Sequence, residues 1–356
     1  MIRKSINSIM LLFCISCSIY QDNETPEIFF HFSNFEILKL GKKISDMITS
    51  NNNDYVYLSD YNNNSVLKIN TNNSLSLQNM TIVGSNPIAM DLNSDNSILA
   101  ITHQGESTIH LIDTESMNIN QTFSVSLMNM NDLVFINDSI IIISSETDPS
   151  CIILNLNSGQ ELSQSVLNGE FAMDKEKKIL YVATSSSIKK YNWDGNRFYQ
   201  DPNISDPYGF TGKIHHLVYN YQKEIIFISL SDENNDIDVK HVYSYNGNDM
   251  TSAGKYQINS AGLATAISQD GERIFVAPTD ADEMGVFIVE FSQNTKLENN
   301  YYLSAGNLAA RGMVLDTNQE YLYILVNIPG DDDSFEPYND YSFDLQRIAL
   351  NVPEDI

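Results

Sequence analysis

One apolar tetrad recurs seven times along the chain, at intervals of roughly 40 to 50 residues. The copies are Tyr55 to Leu58, Ile98 to Ile101, Ile140 to Ile143, Ile179 to Val182, Ile225 to Ile228, Ile274 to Ala277 and Tyr321 to Ile324. Each follows a polar stretch, such as Ser94-Asp95-Asn96-Ser97 or Gln269-Asp270-Gly271-Glu272, mostly of hairpin-turn residues. A second apolar run comes after each tetrad, for example Ile109 to Asp113 and Val286 to Glu290. The clearest copy, Asn86 to Val125, reads as four short strands. Sheets built from such runs bury both faces, and stacking one repeat on the next achieves that. The pattern predicts an all-β chain, a seven-bladed β-propeller of four-stranded blades. The seventh copy ends after its third strand, near Leu350. Phe35 to Leu40, ahead of the first copy, is expected to complete that last blade as its outer strand. Such closure removes exposed sheet edges and makes 35–356 one domain.

Composition agrees with strands and narrows the partners. Hydrophobic residues make up 42% of the 356, with 19 Tyr and 16 Phe, enough for a sizeable core. The net charge of −26 repels phosphate backbones and anionic headgroups, which argues against nucleic acid and favours cations or a basic partner. Three cysteines allow no disulfide framework, and Cys151, inside the run CIILNL, is expected to be a buried structural thiol.

The N-terminus reads as an address. Arg3 and Lys4 precede an apolar run, Ile9 to Ile15, too short to cross a bilayer, which ends at Ser16-Cys17. It resembles a bacterial lipoprotein signal, with an ordinary secretory signal cut nearby as the alternative. The resemblance implies a signal peptide over 1–16, a lipid on Cys17 and a polar tether over 17–34. It also implies a cell-envelope location, lipid-anchored at the outer membrane or facing the periplasm, or secretion. Ser18 after the cysteine is compatible with the outer membrane.

The blade pattern itself resembles the YVTN family of propellers. The resemblance is carried by Pro87-Ile88-Ala89-Met90 with Ser94-Asp95-Asn96-Ser97-Ile98, by Ile109 to Asp113, and again by Ala264 to Val276 with Asp270-Gly271. WD40 repeats match poorly, since Trp193-Asp194 is the single such pair. Relatives of this architecture include extracellular binding proteins as well as lactonase-like and lyase-like enzymes.

No linear catalytic motif is present, so a site has to be assembled from several blades. Two constellations stand out. Aligning the innermost strands puts Asp46, Asp132, Glu170 and His216 in register with Ala89, at one level around the central channel. Three carboxylates and an imidazole there have the chemistry to hold a divalent metal, which in lactonase-like relatives polarises an ester carbonyl. The second constellation is acidic loops joining strands two and three. Asp60, Glu106, Glu146 and Asp148 lie in the early blades, with Asp280 and Asp282, then Asp331, Asp332, Asp333 and Glu336, in the late ones. Arg311 lies beside the ring position of the last blade. Asp232, Asn234, Asp236 and Asp238 open like a calcium loop, but Ile237 replaces the turn Gly and Tyr243 the closing Glu. Calcium or another divalent cation is therefore the candidate cofactor. The remaining histidines, His31, His103, His110, His215 and His241, are expected to be structural or on the surface. The leading expectation is a monomeric, non-catalytic binding scaffold whose protein or other envelope ligand engages the acidic loops. The alternative is a metal-dependent hydrolase or lyase working in the channel.

Overall fold

The computed structural model describes residues 28–31, 35–148, 151–164, 168–184, 187–200, 213–231, 241–258, 262–278, 287–292, 299–305, 307–327 and 342–350. All regular elements among them are strands. Two precede the first blade, β1 (Ile28–His31) and β2 (Phe35–Lys42). Blade one is β3 (Ile44–Thr49), β4 (Tyr55–Asp60), β5 (Ser65–Asn70) and β6 (Ser76–Ile82). Blade two is β7 (Pro87–Leu92), β8 (Ile98–His103), β9 (Thr108–Asp113) and β10 (Ile119–Ser124). Blade three is β11 (Met130–Asn137), β12 (Ile140–Ser145), β13 (Cys151–Asn155) and β14 (Glu161–Gln164). Blade four is β15 (Glu170–Asp174), β16 (Ile179–Ala183), β17 (Ile188–Trp193) and β18 (Phe198–Gln200). Blade five is β19 (Lys213–Asn220), β20 (Ile225–Ser231), β21 (His241–Asn246) and β22 (Ser252–Gln257). Blade six is β23 (Gly262–Ile267), β24 (Arg273–Pro278), β25 (Phe287–Ser292) and β26 (Asn299–Leu303). Blade seven is β27 (Asn307–Leu315), β28 (Tyr321–Asn327) and β29 (Phe343–Ala349).

Each blade is an antiparallel meander with its first strand innermost, and the first strands of successive blades touch in a closed ring. The connections divide between two faces. The loop face carries those from strand two to three and from blade to blade. The turn face carries those from strand one to two and three to four. The strand-one-to-two turns share a backbone feature. Six of the seven strand-one-to-two turns place one residue at positive φ: Asn53, Asn96, Lys178, Glu224, Gly271 and Gln319. Gly and Asn tolerate that conformation best; Asn53, Asn96 and Gly271 follow the preference, while Lys178, Glu224 and Gln319 depart from it.

The core lies between blades. Seven apolar clusters form among the described residues, one at each blade junction. At the junction of blades two and three, Ile109 and Leu111 meet Leu133, Phe135 and Ile141. A fully buried Ile or Leu contributes roughly 1.5–3 kcal/mol. That gain requires the neighbouring blade to be in place, so the ring is the folding unit.

The expected closure is present. β2 pairs antiparallel with β29, Leu38 beside Leu345, as the fourth strand of blade seven. Its register breaks between Leu38 and Lys42, and there the Asp344 carboxylate accepts the Leu40 and Gly41 amides at 2.7 and 3.0 Å. Arg347, on β29, donates to Glu36 of β2 (2.6 Å) and to the Thr71 and Asn73 carbonyls of blade one (2.6 and 2.9 Å). One guanidinium thus ties the N-terminal strand, the last blade and the first.

One further strand lies within 17–34, the span given to the lipidated cysteine and tether. Residues 28–31 form β1, which adds in parallel to β26 as a fifth strand of blade six. The stretch IFFH has the composition of a strand, and β26 offered an unpaired edge to receive it.

Candidate functional site

The channel ring follows from inner strands that run side by side. The Asp46 carboxylate accepts the Met47 amide at 2.8 Å and, across the junction, the Met90 amide of blade two at 2.7 Å. Asp132 does the same, with Leu133 at 2.8 Å and Phe171 of blade four at 2.7 Å. His216 accepts the Thr265 amide of blade six on Nδ1 at 3.1 Å. Its Nε2 lies 3.6 Å from the Glu170 carboxylate of blade four. In each amide bond to the next blade, the donor is the residue after the aligned position: Met90 after Ala89, Phe171 after Glu170, Thr265 after Ala264. At these three junctions the bonded residues keep the same offset from the aligned positions.

What these side chains do there is stitch neighbours together. Six of the seven inner strands carry a register irregularity near the ring level, β15 being the regular one. An innermost strand pairs on one side only, which leaves amides on its other edge without a ladder partner, and a carboxylate from the previous blade supplies one. Each Asp directs one oxygen to its own strand and one to the next blade, so each forms a contact across its junction. Among the described residues, no group of three or more His, Cys, Asp or Glu side chains is placed to hold a metal ion. Ser229 stands directly across from His216 but is wholly buried, and the imidazole nitrogens face the Thr265 amide and Glu170.

Blade two corrects one sequence inference. Ala89 is buried, and the alignment left this blade without a polar ring residue. Asp91, two residues further along β7, does the same work one level down. It accepts the Leu92 amide at 2.9 Å and the Phe135 amide of blade three at 2.8 Å. Lys175, from the turn after β15, reaches back past blade three to Asp91 at 2.8 Å and to the Leu92 carbonyl at 3.1 Å. An acid on the same strand face as Ala89, with period two, was the signal available for Asp91. Lys175 had no signal, because its partner lies two blades away.

Three acids on the described part of the loop face are held by local partners. Asp60 is wholly buried, ion-paired with Lys42 and capping the turn through Asn63. Glu106 accepts the Thr108 hydroxyl at 2.5 Å, which lowers its pKa. Glu146 is exposed and accepts from Gln104 at 3.0 Å, and Gln104 in turn accepts the Tyr61 hydroxyl at 2.7 Å, so one hydrogen-bonded belt crosses three blades. His103, also buried, accepts the Gly84 amide on Nε2 (3.1 Å) and so donates from Nδ1 to the Thr108 carbonyl (2.8 Å). Burial draws its pKa down to about 4. Cys151 is buried as expected, and burial pushes its thiol up to about 12. Cys17, Asp232, Asn234, Asp236, Asp238, Asp280, Asp282, Asp331, Asp332, Asp333, Glu336 and the side chain of Arg311 lie outside the described residues.

No family model matches the chain, and no curated protein matches it by sequence. Its fold is nevertheless that of WD40-type propellers. The β-propeller domain of Cps50 (Swd1) from Myceliophteria thermophila superposes with a TM-score of 0.70 at 8% identity, over 90% of this chain and 100% of that one. U3-55K gives 0.66 at 10% identity, over 89% and 98%. The C-terminal WD40 domain of Sif2 gives 0.60 at 14% identity, over 87% and 82%. At such identities the likeness is one of backbone, and it coexists with a single Trp-Asp pair.

Proposed function

We propose that this propeller is a protein-binding scaffold of the cell envelope, lipid-anchored through Cys17, with its partner on the acidic loop face. The observation that carries the reading is the use of the ring. Asp46 and Asp132 each take a backbone amide from their own strand and one from the next blade. Carboxylates so engaged serve the rigidity of the ring, which suits a platform for loops. The likeness to WD40-type propellers supports a role in protein–protein contact in general. The charge of −26 favours a partner with a basic surface. Kinship with YVTN propellers and the lipoprotein-type signal belong to the same proposal.

The test is a pull-down from envelope extract with the chain as bait, run with and without chelator. A scaffold retains a protein partner in both, and the partner is lost when Asp331, Asp332 and Asp333 are all changed to Asn. Retention that depends wholly on a divalent cation would move the reading towards calcium in the 232–238 loop. Ester hydrolysis abolished by Asp46→Asn in a variant that remains folded would replace the scaffold with the hydrolase. Cys17→Ala is expected to release the chain from the membrane fraction; unchanged partitioning would remove the anchor.

A further inference from the structure

The direction of β1 sets the side from which the N-terminal segment reaches the propeller. In blade six the turn Gln269 to Glu272 marks the turn face, and Arg273, just after it, stands beside Ser292 of β25. Glu290 in turn stands beside Asn300, so β26 begins at the turn face and runs towards the loop face. β1 lies parallel to it, Ile28 beside Asn299 and His31 beside Tyr302. Backbone arriving at Ile28 therefore comes from the turn face; an antiparallel β1 would have brought it from the loop face.

Ten residues, Ser18 to Glu27, separate Cys17 from Ile28. A random coil of ten residues would span about 18 Å on average, and any chain of that length about 35 Å at most. A six-residue strand is about 20 Å long. Doubling back along the blade would therefore consume the mean reach of the tether before any of it met a bilayer. From this geometry, and resting on the lipid anchor proposed above, we infer that the propeller stands with its turn face against the membrane. The loop face is then directed outward, and its partner is a basic protein approaching from the aqueous side, not a lipid surface. Charge acts in the same sense, because acidic loops are repelled by anionic headgroups.

The orientation is measurable on vesicles. The chain beginning at Cys17 is coupled through that thiol to a maleimide phospholipid, which fixes the anchor chemically; Cys151 does not compete, being buried with a raised pKa. A clickable amino acid replaces exposed Asn62 on the loop face or exposed Gln269 on the turn face and carries a donor dye. With an acceptor dye among the lipids, energy transfer from position 269 is expected to exceed that from position 62 at least twofold. Equal transfer, or more from position 62, overturns the orientation. Phe30→Pro, which removes a backbone donor from β1, is expected to narrow the difference without reversing it, because β2 also begins at the turn face, Phe35 beside Ile348 and Ile348 beside Leu322. The anchor itself is judged separately, by whether the native chain fractionates with cell membranes and Cys17→Ala does not. A soluble native chain defeats the anchor while the vesicle result still decides the direction of approach.

Discussion

At the scale of single residues, the most informative side chains are polar groups at the blade junctions. Asp132→Ala strands two backbone amides, Leu133 and Phe171, which its carboxylate now satisfies. An unsatisfied buried donor costs about 1–3 kcal/mol, so urea unfolding should show a loss of at least about 1 kcal/mol. A change within experimental error would mean that solvent reaches those amides. His103 gives a pH signature. It is neutral in the folded chain, with its pKa at about 4 against an ordinary 6.5. Between those values the unfolded chain binds a proton that the folded chain refuses. Its contribution is thus complete above pH 6.5 and is lost as pH falls through 6.5 towards 4, by about 3 kcal/mol in all. Glu106 and His110, the neighbouring titratable groups, pull on it in opposite directions. Denaturant midpoints at pH 7.5 and pH 5 should fall less in His103→Gln than in the native chain.

At the scale of elements, the fold was largely legible because its signals repeat. Seven apolar tetrads after seven turns outweigh any one ambiguous strand, and the missing outer strand of the last blade pointed to Phe35 to Leu40. β1 was not legible, since four residues beyond the repeat carry too short a pattern and its pairing with β26 is non-local. The ring positions were found by alignment. Their task was hidden, because an Asp facing a channel and an Asp facing the next strand look alike in sequence. Arg347 is where the elements meet. Arg347→Ala leaves Glu36 and two blade-one carbonyls without their donor, and buried pairs broken on one side lose about 3–5 kcal/mol. Glu36 is partly solvated, so a loss nearer 2–3 kcal/mol is expected, read as a lower melting temperature. If Arg347→Ala melts with the native chain, β2 is held by its backbone pairing, by Asp344 and by the packing of Leu38 and Leu40.

At the scale of the whole molecule, two properties belong to no single element. One is charge. Association with a basic partner on the loop face should slow steeply between low and physiological salt, as steered encounters do. Asn at 331, 332 and 333 together should flatten that dependence while leaving the melting curve unchanged. Salt-independent association of the native chain would point to an apolar contact instead. The other is rigidity, since seven junction clusters and the stitches at the inner strands make every blade depend on its neighbours.

The pairing of β2 with β29 also orders events during biosynthesis. Among the described strands β2 is the second and β29 the last in chain order, and their contacts join residues 304 and 303 positions apart. A chain emerging from its N-terminus carries β2 unpaired while six blades form, and closes only when its C-terminal end is available. Contacts of such separation form late and slowly. Until then an apolar strand edge stands open to any neighbouring chain, so a truncated or stalled product lacking β29 is an aggregation hazard that the completed ring is not.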